Sequence, residues 1–83
     1  MDEQLFEKQV KLVVNDYTDE IRSYAENKNF EGFNELIRRI KNNIKNKYLK
    51  RKYTEDEEVL VEELIYEIFN MKLKEQSGDQ YER

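Results

Sequence analysis

Apolar residues return every three or four positions along most of this 83-residue chain, which is the spacing of one face of an α-helix. Phe6, Val10, Val13, Tyr17 and Ile21 form the first such stripe and predict an amphipathic helix over about 2–24. Within it, Asn15, Asp16 and Thr18 favour caps over helix interiors, so the helix is expected either to run through or to split, with Asp16 or Thr18 capping the second piece. Asn27-Lys28-Asn29 reads as a turn, and Asn29 is placed to cap a second helix. The stripe of that helix is Phe30, Phe33, Ile37, Ile40, Ile44 and Tyr48, with Leu36 beside it, predicting a span of about 30–52. Gly32 falls in its first turn, where the roughly 1 kcal/mol cost of a helical glycine is best tolerated.

Thr54 and Glu57 carry capping-box spacing, and acids in a first helical turn favour the positive end of the helix dipole. A third helix is therefore expected over about 55–74, with Leu60, Val61, Leu64, Ile65, Ile68, Phe69 and Met71 as its core stripe. Residues 75–83 read as a flexible polar tail. The expectation is a single all-α domain over 1–74, a small three- to four-helix bundle.

Composition sharpens this picture. The chain has no Pro and only two Gly, and 41% of its residues are charged, all of which favours helix. Only 37% are hydrophobic, but ten are aromatic (six Tyr, four Phe) and regularly spaced, unlike a disordered chain. With no Cys and no His, there is neither a thiolate metal site nor the commonest nucleophile–base pair. No phosphate-binding glycine loop is present, and the run Glu55-Asp56-Glu57-Glu58 lacks the turn glycine of a calcium loop. The chain is expected to be no enzyme and to use no cofactor or metal. No apolar run reaches membrane-span length, and the start MDEQ is unlike a secretory signal. The expected setting is cytoplasmic.

The net charge of −4 conceals a partition. Eight of the 15 basic residues lie between Leu36 and Thr54, where there is no acid, leaving seven against 19 acids elsewhere. Arg38, Arg39, Lys41, Lys45, Lys50 and Arg51 are candidate phosphate contacts, with Tyr48 or Tyr53 able to stack on a base. The competing reading is a solvated face turned toward acids of the same bundle, because these charges wrap around the helix and the whole protein is acidic. On the third helix, Val59, Glu63, Tyr66 and Asn70 recur at steps of four, three and four, with Glu67 alongside. That strip lies away from the core stripe, and an aromatic rimmed by acids suits a protein-binding surface.

The stretch ENKNFEGFNELIRRIKNNI followed by TEDEEVLVEELIYEIFNMKL resembles the start of the second conserved region of bacterial sigma factors, over about 21–74. In that family a turn precedes a helix of the type E-x-A-F-x-x-L, matched here by Glu31, Gly32, Phe33 and Leu36. A second helix carries D-L-[IV]-Q-E, matched by Glu63-Leu64-Ile65-Tyr66-Glu67. The resemblance implies docking of Glu63, Tyr66 and Glu67 on the clamp-helix coiled coil of the RNA polymerase β′ subunit. Two positions depart from the pattern, with Tyr66 for Gln and Glu63 for Asp. The family's following helix, which captures the promoter strand, has no counterpart before the closing SGDQYER. What is implied is a transcription co-factor similar to small sigma co-regulators, with a separate sigma-like partner recognising the promoter and DNA met only within that complex. The alternatives are a DNA-binding regulator of a phage or conjugative element using the basic helix 36–53, and a non-catalytic helical protein-interaction module.

Overall fold

A computed structural model describes the backbone of residues 3–81 and the side chains of 4–76. The described residues form an all-α bundle: α1 (Glu3–Asp16), α2 (Thr18–Glu26), α3 (Phe30–Ile44), a π-helical turn (Lys45–Leu49) and α4 (Glu55–Tyr81). None of the described helices is long and apolar enough to cross a membrane. Cross-helix pairs give the directions. Tyr17 meets Asn43 and Glu20 meets Arg39, so α2 and α3 are antiparallel. Lys41 meets Glu58 and Glu62 while Phe33 meets Tyr66, so α3 and α4 are antiparallel as well. Gln4 and Glu7 lie beside Asp56 and Leu60, and Leu12 beside Ile68, so α1 runs parallel to α4.

The first stripe does split, but neither Asp16 nor Thr18 caps the second piece. Tyr17 occupies the junction at φ −104° and ψ 6° with no side-chain cap. Its N–H donates to the Val14 carbonyl at 2.9 Å, a tightened turn that avoids a full break in the hydrogen-bond ladder. The Tyr17 ring packs on the core, and its hydroxyl accepts a 2.9 Å bond from Asn43 Nδ2. Tertiary anchoring of the aromatic thus replaces the local cap.

The other two helix starts agree with the sequence. Asn29 Oδ1 accepts from the Gly32 N–H at 2.9 Å, and Lys28 takes the positive φ of 53° that the turn needs. A side chain at Gly32 would force its neighbours to shift: a Cβ there would stand 2.6 Å from Tyr24 Cε1 and 2.7 Å from Asn29 Nδ2 of the cap. At α4 the Thr54 N–H donates to Glu57 Oε1 (2.9 Å), and the Glu57 N–H donates to Thr54 Oγ1 (3.2 Å). This reciprocal pair satisfies two otherwise unpaired donors.

The ends differ from expectation. Instead of continuing to residue 52, α3 gives way after Ile44 to the π turn, and Lys50 adopts the left-handed conformation (φ 57°, ψ 29°) with its N–H bonded to the Lys45 carbonyl at 2.6 Å. A π turn stacks residues five apart, so Leu49 takes the core place below Ile44 while Tyr48 stays half-buried. α4 continues past the expected end at 74 to Tyr81; the side chains of the tail from residue 77 onward lie outside the described residues.

The core joins Phe6, Val10 and Val13 of α1, Ile21 of α2, Phe33, Leu36, Ile37, Ile40 and Ile44 of α3, and Val61, Ile65 and Phe69 of α4. Of the other residues expected there, Tyr17, Tyr48, Leu60, Leu64 and Ile68 pack partly buried against it, while Phe30 is 54% and Met71 56% exposed. Phe30 opens the first turn of α3, where its ring reaches only the edge of Phe69, at 5.7 Å between centroids. Met71 lies three residues beyond Ile68, the last α4 residue lining the α1–α4 groove.

The connection 50–54 is fixed by polar contacts. Tyr53 donates its hydroxyl to the Lys41 carbonyl at 2.6 Å; burial raises its pKa, and Glu58 and Glu57 nearby add to the rise. Arg51 holds Glu57 through two bonds, Nη1–Oε1 at 2.9 Å and Nη2–Oε2 at 2.8 Å. The Arg51 guanidinium, followed by the Thr54 N–H, lowers the Glu57 pKa to about 2. Because the folded value lies below the unfolded one, this stabilisation is present above about pH 4.5 and is lost as pH falls toward 2, an expected contribution of about 1–2 kcal/mol after solvent screening. Thermal melts from pH 6 to 2 will show a falling Tm, and Glu57→Gln will flatten part of that slope; an unchanged slope would refute the role of this pair.

Candidate functional site

The outer side of α4 is built by register. Residues at 100° steps place Val61, Ile65 and Phe69 inward, which turns Val59, Glu63 and Asn70 to solvent. Val59 is 50% and Tyr66 41% exposed, and Glu63, Glu67 and Asn70 are also exposed. The strip is not uniform across its width. Tyr66 sits at its α3 edge, where its ring meets Phe33 edge-on at 5.3 Å and 77°. Phe33 in turn stacks on Phe69 at 3.9 Å and 17°. The half-exposed Tyr66 is therefore seated on the core, which restricts its rotamers before any partner arrives. Glu67 sits at the other edge, lining the groove toward α1 with Leu64 and Ile68.

Phe30 was missed as a surface residue by periodicity, which places it on the core stripe. It abuts the same Phe33–Phe69 stack from the other side, so two exposed aromatics flank one buried pair. The only local signal was its place immediately after the cap residue Asn29, in the first turn of α3.

The acids of α4 from Glu57 to Glu67 divide into two sets. Glu57 is bound by Arg51, and Glu58 and Glu62 share the Lys41 ammonium at 2.8 and 2.9 Å. Among the described residues, Glu63 and Glu67 make no ion pair. The paired set faces α3 and the connection; the unpaired set faces out. Burial disfavours the Lys41 charge, but the hydrogen bonds to Glu58 and Glu62 outweigh it and raise its pKa. No cluster of three acids among the described residues could hold a metal ion.

Against family models, curated proteins and solved structures, the chain finds no match. The character of its surface is set out by its own residues.

Of the six basic candidates, Arg38, Lys41 and Lys45 line one depression with Asn42 and Tyr53. Arg38 pairs with Glu35 (3.4 Å), Arg39 with Glu20 (3.3 Å), Lys41 with Glu58 and Glu62, and Arg51 with Glu57. Four of the eight basic residues of the run are thus paired with acids of α2, α3 and α4, and Lys45, Lys47, Lys50 and Lys52 make no ion pair among the described residues.

Proposed function

We propose that this chain is a non-catalytic transcription co-factor. Its α4 strip docks on the clamp-helix coiled coil of the RNA polymerase β′ subunit, while a separate sigma-like protein supplies promoter recognition. The observation that carries the docking role is the segregation of the α4 acids. Glu57, Glu58 and Glu62 are tied to cations of the same chain, whereas Glu63 and Glu67 stand exposed beside the pre-seated Tyr66. Free carboxylates around a rigid aromatic suit a basic helical partner, with Tyr66 as anchor and the acids setting orientation and encounter rate. The choice of polymerase as that partner rests on the resemblance of Glu63 to Glu67 and of the Glu31–Leu36 turn-and-helix to sigma region two. Phe30 extends the same surface beyond the positions that the resemblance supplies.

Binding of the full chain to purified bacterial core polymerase tests this. Tyr66→Ala and Glu63→Lys are each expected to cost about 2–4 kcal/mol of binding, roughly 30- to 1,000-fold, with helical circular dichroism retained. Glu63 is exposed and makes no ion pair among the described residues, so its variant separates docking from folding. Wild-type chain that fails to bind, or binding untouched by both variants, would sink the proposal.

A further inference from the structure

A groove of about 640 Å³ opens between α1 and α4. Its floor is apolar, made by buried Val14 with half-buried Leu64 and Ile68. Leu12 stands on its lip, 64% exposed, and Leu5, seven residues earlier on α1, is 48% exposed. Two exposed leucines one heptad apart form the seam of a helix that lacks a partner.

The walls carry opposite charge. Lys8 and Lys11 line the α1 side and Glu67 the α4 side, and no ion pair joins them across the groove among the described residues. Lys11 has only Glu7, on its own helix at 3.4 Å, with both side chains well exposed.

We infer that a second copy of the chain occupies this groove, making a two-fold homodimer. Complementarity selects that occupant. A two-fold interface must match itself, and two in-plane axes are available. An axis across the helices would set α1 on α1, with lysines facing lysines. An axis along the helices sets α1 of each copy over α4 of the other. Because α1 and α4 run parallel and in register, that choice brings Lys8 and Lys11 of one copy opposite Glu67 of the other. Leu12 of each copy then enters the slot above Leu64 and Ile68 of the other. The face holds both halves of its own complement: a projecting leucine and an apolar slot, a basic wall and an acidic one. The dimer does not depend on polymerase docking. Glu67 lies at the border of both surfaces, so a chain docked through α4 would do so as a monomer.

Sedimentation equilibrium of the full chain, from about 1 to 200 µM, tests the dimer over the affinity range where a surface of this kind acts. Wild-type chain is expected to show a monomer–dimer equilibrium. Leu12→Glu, at a position open to water, should keep the helical spectrum and melting temperature while weakening the dimer by about 100-fold or more, since two leucines leave the interface. A Lys8→Glu, Lys11→Glu chain and a Glu67→Lys chain should each associate weakly alone, and heterodimers should return when the two are mixed, read by native mass spectrometry. Monomer throughout the range, a dimer indifferent to Leu12→Glu, or no recovery on mixing would each overturn the inference. Leu12→Glu leaves Glu63 and Tyr66 in place, so its polymerase binding distinguishes failure of the dimer from failure of the docking role.

Discussion

Phe33→Ala will remove between about a quarter and all of this protein's stability. A domain this small has roughly 4–12 kcal/mol of stability in total, and truncating a buried Phe removes about 3–5 kcal/mol of it. Phe33 is only 2% exposed. It stacks on Phe69 at 3.9 Å and receives the edge of Tyr66 at 5.3 Å, so its loss leaves a cavity between α3 and α4 and strips both rings of their shared neighbour. Urea denaturation followed by circular dichroism should show either no native baseline or a midpoint lowered by about a quarter or more. A loss below about 1 kcal/mol would mean that the stack is not the centre of the α3–α4 contact. Phe33→Leu keeps most of the volume and is expected to fold, at a cost near 1–1.5 kcal/mol. It should nevertheless weaken the α4 docking surface, because Tyr66 loses the flat ring that restricts it. A folded Phe33→Leu chain with undiminished binding would show that Tyr66 needs no seat.

How far this arrangement could be read from the chain depends on the range of the interaction. The caps at Asn29 and at Thr54–Glu57 are local, with partners three residues apart, and both formed as their spacing implied. The stripes that build the core are also local in kind, and most of their residues are buried. What escaped was set by where each residue falls along its helix. Phe30 and Met71 belong to apolar stripes but stay exposed, Phe30 in the first turn of α3 and Met71 past the last α4 residue that lines the α1–α4 groove. The π turn that buries Leu49 instead of Tyr48 adds one residue to the spacing, a shift that a period of 3.6 does not contain. The surface divides in the same way. Helical geometry alone turned Glu63, Tyr66 and Glu67 outward, but the seat of Tyr66 on Phe33 depends on the α3–α4 register. The basic run is the sharpest case: its acids lie up to 21 residues away, so the sequence displays the cations without their partners.

Lys41→Glu is the second change with a large expected effect, and it asks what that basic run is for. The Lys41 side chain is only 20% exposed, with its ammonium 2.8 Å from Glu58 and 2.9 Å from Glu62. Those two acids are four apart on α4 and share one side of it. Reversing the charge would gather three carboxylates in a half-buried space, at an expected cost of about 2–4 kcal/mol. Crowding raises carboxylate pKa values, so the deficit should be greatest at neutral pH and shrink toward pH 4–5 as one acid protonates. Lys41→Met keeps the stem, leaves Glu58 and Glu62 facing water, and should cost only about 1 kcal/mol. In the wild-type chain the sign is opposite: the folded Lys41 pKa is raised, so its stabilisation is complete at neutral pH and is lost only as pH climbs above about 10.4 through the folded value. Chemical denaturation of the three chains at pH 7 and pH 4.5 measures this directly. A Lys41→Glu chain as stable as wild type would mean that the ammonium is free for another partner. With the ammonium held by two carboxylates, low-salt titration with duplex DNA should find Lys41→Met no different from wild type. Any residual phosphate affinity would then depend on Lys45, Lys47, Lys50 and Lys52, which make no such pairs among the described residues.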